Sequence, residues 1–300
     1  MSRDGDLVGR RYLVTGGTAG LGLHACRLLL ERGAEVVLAA RNPEKAEAVV
    51  AELRRRLPGA AVGFRQLDLA DLRSVGAASE RLSAGAPVDG LLANAGVVDS
   101  RHRRVTADGF ELQFGTNHLG HFALIAQLMP WLESGSARVV HLGSISHRWF
   151  RLRLDDLQSE RRYDGSAAYA RSKLAVMLFG FELELRLREA GSSVSSLVAH
   201  PGFSWDELDA DDPGWSRPLG GAIRGAARAI SQGKDSGALP LVHALTAPDA
   251  GGGGYWGPRQ WFQLKGSPAR VAAEPHARDR KVAGELWRAS ERFTGVGLLR

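Results

Sequence analysis

Apolar segments of strand length alternate with helix-length patterns along most of this 300-residue chain, and no other feature of the sequence narrows the fold as much. The spacing predicts strands near 11–15, 35–40, 61–67, 88–93, 137–142 and 194–199. It predicts helices near 20–32, 43–57, 71–84, 107–133 with a break, 166–190 and 234–246. VVLAA, VDGLLA and RVVHLG are apolar on both faces, which suits a strand only when helices cover both sides of its sheet. The expected class is α/β: a doubly wound parallel sheet of about seven strands with helices on both faces, in one domain spanning 1–300. Long loops at 145–166 and 202–218 follow the fifth and sixth strands, where such sheets bind ligands. An extension at 250–300 reads as a glycine-rich turn, a short strand and a helix near 276–293.

A hydrophobic content of 44% is enough to build one substantial core, and a single cysteine, Cys26, cannot supply a disulfide framework or a thiolate zinc site. The first ten residues, MSRDGDLVGR, carry acidic groups and no apolar run, and no stretch of about 18 apolar residues occurs elsewhere. The expectation is a cytoplasmic protein without a membrane span. The net charge of +6 comes from short solvated runs such as RHRR and PHARDRK, without interleaved aromatics, so a small anionic ligand is expected and nucleic acid is not.

The first strand runs into a glycine-rich turn and then a helix, RYLVTGGTAGLGLHACRLLL. Peptide N–H groups at a helix start lack intrahelical partners and sit at the positive end of the helix dipole, so such a turn can hold a phosphate. Gly16, Gly20 and Gly22 give T-G-x-x-x-G-x-G rather than the more widespread G-x-G-x-x-G. Further along come LDLAD, NAG, FGTNHLGHF, GS, YARSK and HPG. Taken in that order, these motifs resemble the short-chain dehydrogenase/reductase family over almost the whole chain. NHLGHF and the long gap from Ser144 to Tyr169 look most like its retinol-dehydrogenase-like branch. The resemblance implies a Rossmann-type fold and a bound nicotinamide dinucleotide. The cofactor would lie against Gly16, Thr18, Ala19, Gly20, Leu21, Gly22, Arg41, Asp68, Leu69, Asn94, Ala95, Gly96, Tyr169, Lys173, Pro201 and Gly202. The catalytic set it implies is Asn117, Ser144, Tyr169 and Lys173.

Tyr169 and Lys173 are four apart on a helix and therefore share a face. A phenol titrates near 10, and bringing it to about 7 takes roughly 4 kcal/mol, which a nearby ammonium can supply by favouring the phenolate. In the reductive direction Tyr169 gives its proton to the carbonyl oxygen, while Ser144 stabilises the charge developing there. By resemblance, Asn117 holds a water that links Lys173 to solvent, and Lys173 contacts the nicotinamide ribose. The second strand ends in Ala39, Ala40 and Arg41, with no carboxylate to accept from a ribose 2′-hydroxyl, so NADP (NADPH) is expected over NAD; a solvated Arg41 is the plainer alternative.

His147, Trp149, Trp205 and Trp215 lie on the two long loops and are expected to line the substrate site, although loop aromatics also serve as packing. His118 and His121 lack a third ligand and read as packing residues, so no metal is expected. Asp206 stands where the family often has a threonine that contacts the cofactor. Three functions follow. The first is NADP-dependent hydride transfer to or from a bulky, apolar or aromatic ketone or aldehyde, as in specialised-metabolite biosynthesis. The second is non-redox chemistry on the same fold, such as cyclisation or dehydration, and the third is a cofactor sensor without turnover. Apolar helices near 117–132 and 169–187 are expected to pair subunits into a homodimer or homotetramer, as in family members.

Overall fold

A computed structural model of the chain describes residues 6–98, 102–203 and 233–299. Their strands form one sheet in the order β3-β2-β1-β4-β5-β6-β7-β8. The strands are β1 (Arg11–Thr15), β2 (Glu35–Ala40), β3 (Val62–Gln66), β4 (Gly90–Ala93), β5 (Arg138–Leu142), β6 (Ser195–Ala199), β7 (Tyr255–Gln260) and β8 (Lys265–Arg270). The first seven run parallel and β8 closes the edge antiparallel to β7. The sheet thus has eight strands rather than about seven. KGSPAR, the segment of β8, carries a glycine and a proline and no apolar alternation, so it has no strand signal of its own; its partner β7 defines it. Nor is 250–300 an appendage, because β7 pairs directly with β6 through Val198 and Tyr255.

Eight α-helices flank the sheet among the described residues: α1 (Gly20–Glu31), α2 (Pro43–Arg56), α3 (Leu72–Ser83), α4 (Leu112–Phe114), α5 (Gly120–Ser134), α6 (Gly165–Glu189), α7 (Lys234–Thr246) and α8 (Arg280–Thr294). Alternate strand residues feed two separate cores. Leu13, Val37, Leu91 and Val139 join Val75, Phe122 and Phe179 of α3, α5 and α6. Val14, Leu38, Leu92 and Val140 join Leu29, Leu53 and Leu241 of α1, α2 and α7. This alternation puts one helical layer on each face, as the doubly apolar strands require.

β1 pairs with both β2 and β4, so the chain reverses its direction of winding between β1 and β4. At that reversal the connections leave the two strands on opposite faces, which opens a crevice at their carboxyl ends. The glycine turn after Thr15 and the NAG segment after Ala93 both sit there.

The predicted break in helix 107–133 is a π turn, Gly115–Leu119, between α4 and α5, in which the Gly120 N–H bonds the Gly115 carbonyl. Glu111 caps α4 by accepting from the N–H groups of Gln113 and Phe114. The apolar helices expected to pair subunits are partly covered by α8 of the same chain. Trp287 packs its indole against Phe122 and Phe179, Arg186 stacks on that indole at 4.2 Å, and Ser290 bonds His118.

Candidate active site

The glycine turn fits a dinucleotide phosphate. Gly16 (φ 69°) and Gly20 (φ 53°) adopt left-handed backbone that a side chain would strain. A Cβ on Gly22 would collide with the Gly16 carbonyl oxygen and the Asn94 amide, so only glycine lets α1 start this close to the turn. Ala19 occupies the N-cap of α1 and offers no side-chain acceptor, and no acidic residue lies in the first turn. The N–H groups of Gly20, Leu21 and Gly22 are therefore left to an external anion, with Thr18 and Ala19 on the approach.

Thr15 and Asn94 hold this cradle together. Asn94 Nδ2 donates to the Thr15 carbonyl at 2.9 Å, and the backbone N–H groups of Asn94 and Ala95 each donate to Thr15 Oγ1 at 3.0 Å. Asp68 accepts from the Ala70 N–H at 2.9 Å, and Leu69 is buried against Gly120 at the start of α5. Arg41 is exposed one residue beyond β2, and the Gly16 N–H bonds Ala39 of that strand, which sets the Arg41 segment beside the turn. Pro201 and Gly202 follow β6. Gly202 (φ 73°) has its N–H bonded to His200 Nδ1 and backs onto Leu264 of the β7–β8 connection.

The structure brings Asn117, Ser144, Tyr169 and Lys173 together. Ser144 caps a 3-10 turn, Ile145–Trp149, just after β5, and its hydroxyl stands close enough to Tyr169 on α6 to favour the ionised phenol. Lys173 Nζ donates to the carbonyl of Leu142, the last residue of β5, at 3.0 Å and lies 6.0 Å from the Tyr169 ring centre. Asn117 lies in the π turn with its side chain fully engaged. Its Oδ1 accepts from the Val97 N–H (2.8 Å), and its Nδ2 donates to the Val97 carbonyl (3.1 Å) and to Ser172 Oγ (2.9 Å). A Cβ on Gly96 would stand 3.0 Å from Asn117 Oδ1 and 3.6 Å from Lys173 Nζ, so the NAG glycine is where the β4 loop presses onto the set.

Burial lowers Lys173 to about 8, which leaves it mostly charged at neutral pH. Burial also raises Tyr169 above its ordinary value, and the Ser144 hydroxyl pulls it partly back. The Lys173 ammonium donates to the Leu142 carbonyl and stays within 6.0 Å of the Tyr169 ring, and Tyr169 is the neutral, proton-bearing phenol at neutral pH.

The expected substrate residues separate. His147 does not face a substrate: it is fully buried, with Nδ1 bonded to the Ser144 carbonyl at 2.6 Å and Nε2 toward the Glu274 N–H at 3.4 Å. It braces Ser144 from behind. Trp149, at the end of the same turn, is 69% exposed. Trp205, Trp215 and Asp206 lie outside the described residues. His118 and His121 are both buried, and among the described residues no group of three or more metal-ligating side chains forms.

Sequence reasoning missed Lys234. This first residue of α7 passes within 3.9 Å, at Cδ, of where a Gly20 Cβ would stand, and so brings a cation to the mouth of the glycine turn. A lysine opening a helix carries no signal in sequence, because only the packing of α7 on α1 gives it this neighbour.

Comparison with known proteins agrees with this geometry. The family model for short chain dehydrogenase matches residues 10–206. Mouse retinol dehydrogenase 12 is 41% identical over 202 residues, which cover 67% of this chain and 63% of that protein, so the match spans less than two thirds of that relative. Human retinol dehydrogenase 13 is 34% identical over 96% of this chain and 85% of its own length. Mouse polyprenol dehydrogenase is 36% identical with the same coverage. A solved structure of a putative uncharacterized protein from Mycobacterium paratuberculosis superposes with a TM-score of 0.79 at 36% identity, over 99% of both chains. With its glycine cradle at the β1/β4 crevice and its Asn-Ser-Tyr-Lys set around β5 and α6, the chain belongs to the short-chain dehydrogenase/reductase family, in the retinol-dehydrogenase-like branch.

Proposed function

We propose that this protein is an NADPH-linked oxidoreductase acting on a bulky apolar or aromatic ketone or aldehyde, or on the corresponding alcohol. The observation that carries the reading is that β5 and α6 bring Ser144, Tyr169 and Lys173 together, with Lys173 Nζ 3.0 Å from the Leu142 carbonyl and 6.0 Å from the Tyr169 ring centre, beside a helix start that has no side-chain cap. The bound dinucleotide supplies the hydride. Tyr169 donates its proton to the carbonyl oxygen, and Ser144 donates a hydrogen bond to the same oxygen as negative charge builds there. Lys173 then offers a proton close to Tyr169, and Asn117 fixes the loop through which that proton is replaced. Support for NADPH comes from Arg41, exposed one residue beyond β2 and available to a 2′-phosphate, and from the absence of a carboxylate at positions 41–43. Lys234, near Gly20, offers a cation to a pyrophosphate on the glycine turn.

The names of the relatives, retinol and polyprenol dehydrogenases, favour a long apolar substrate with one terminal oxygen. No described residue favours the non-redox alternative. No described helix is long and apolar enough to cross a membrane. The test is to mix the protein with NADPH and a panel of aromatic ketones, all-trans-retinal and a polyprenal, and to follow the loss of reduced-cofactor absorbance. Consumption that requires the carbonyl supports the reading; tight NADPH binding without consumption on any member of the panel overturns it.

A further inference from the structure

His121 is buried at the start of α5, one helical turn beyond Asn117, and both of its ring nitrogens are engaged. Nδ1 lies 3.0 Å from the Asn117 carbonyl oxygen, and Nε2 lies 2.9 Å from Thr15 Oγ1. A carbonyl only accepts, so Nδ1 carries the hydrogen. The neutral ring then has a lone pair at Nε2, and Thr15 must donate to it. The Thr15 hydroxyl is free to do so, because its own lone pairs already accept the Asn94 and Ala95 N–H groups and its other acceptor, the Leu92 carbonyl, is 3.4 Å away. Hydrogen bonds therefore run from Asn94 and Ala95 through Thr15 and His121 to the Asn117 carbonyl; from the side chain of the same residue, Nδ2 donates to Ser172, whose hydroxyl donates to the Tyr169 carbonyl at 2.7 Å.

Three buried histidines lie close together here, and their settings differ. His118 Nε2 meets Ser290 Oγ at 2.8 Å and His141 Nε2 meets Ser196 Oγ at 3.0 Å. Both serine hydroxyls already donate to backbone carbonyls, Leu286 and Gly180, so they accept from these rings. His118 and His141 thus carry hydrogen on Nε2. Only His121 has the opposite tautomer, and only His121 bridges the two halves of the site.

We propose that His121 is a positioning residue that ties the Asn117 carbonyl in the π turn to Thr15 on the floor of the cofactor cradle, so that the cradle and the proton-handling set keep one register. That these are two halves of one active site rests on the function proposed above. A bridge in this place costs little to maintain, since burial holds the ring neutral far below physiological pH.

The test has one part that needs no turnover. Nitrogen-15 long-range correlation spectra of the histidine-labelled protein should give the Nδ1–H tautomer for His121 and the Nε2–H tautomer for His118 and His141. An Nε2–H tautomer at His121 overturns the proposal. The second part is a cycle on NADPH affinity, read by quenching of tryptophan fluorescence. His121→Asn keeps a donor near the Asn117 carbonyl but cannot reach Thr15. It should weaken NADPH by about threefold to tenfold, the size of one hydrogen bond, and Thr15→Val should weaken it further, because that change also strands the Asn94 and Ala95 N–H groups. The double variant should be no weaker than Thr15→Val alone; losses that multiply overturn the shared bond. The third part uses NADPH and all-trans-retinal. His121→Leu, which loses both contacts, should fall at least about tenfold below His121→Asn in kcat at similar KM. Equal kcat in the two overturns the link to Asn117. Wild-type protein that binds NADPH and reduces no carbonyl would instead refute the proposed function, with the tautomer and the binding cycle still deciding the bridge.

Discussion

Acid should unfold this protein earlier than its carboxylates would require. His118, His121, His141 and His200 are buried, and loss of hydration pushes them to about 3, 4, 3 and 3, from an ordinary value of 6.5. In each case folding favours the neutral ring. The stability this represents is fully present above the unfolded value and is lost as pH falls from about 6.5 toward 4, because the unfolded chain takes up protons that the native state refuses. At about pH 5.5 an unfolded histidine is protonated roughly ten to one, which costs the native state a little over 1 kcal/mol per ring and roughly 5 kcal/mol for the four. That is comparable with the whole stability of many domains, about 5 to 15 kcal/mol. The assay is equilibrium urea unfolding followed by tryptophan fluorescence at about pH 7.5 and about pH 5.5. An unfolding free energy that differs by less than about 1 kcal/mol between the two would refute the argument. His118→Gln gives an internal check: it should be less stable at neutral pH but should lose about a quarter less on acidification.

Two further outcomes concern the site. Tyr169→Phe should lower kcat by about a hundredfold or more and change NADPH affinity little, since the lost proton donor acts only in the transition state; near-normal turnover on any carbonyl in the panel would remove Tyr169 from its role. The two cations near the cradle should separate by cofactor in binding titrations. Arg41→Ala should weaken NADPH by roughly tenfold to a hundredfold and leave NADH almost unchanged, while Lys234→Met should weaken both by a similar factor of about ten, because both cofactors carry the pyrophosphate and only NADPH carries the 2′-phosphate. Equal losses of both cofactors in Arg41→Ala would assign that residue to the fold.

The parts of the fold legible in the sequence were those coded by local periodicity. Strands such as VVLAA declare burial on both faces, and Gly16, Gly20 and Gly22 declare a backbone that other residues cannot follow. Tyr169 and Lys173 were legible because a helix fixes their relation. β8 was not legible, since KGSPAR is a strand only by virtue of its neighbour β7. His147 was misread for a related reason: a histidine three residues after Ser144 looks available, and only the packed turn reveals that both of its nitrogens face backbone. Lys234, 214 positions after Gly20, depends on how α7 meets α1. The orientation of Lys173 toward Leu142 likewise depends on a carbonyl from another element.

The contact between His118 and Ser290 has a consequence in time. It joins positions 172 apart, and it lies next to Asn117. During synthesis at about 5 to 20 residues per second, the helix that carries Asn117 leaves the ribosome roughly ten to thirty seconds before the segment that covers its outer side. Phe122 and Phe179 wait over that interval for Trp287. The residues around which the chemistry is arranged are thus all made well before α8, and are among the last to have their surroundings completed.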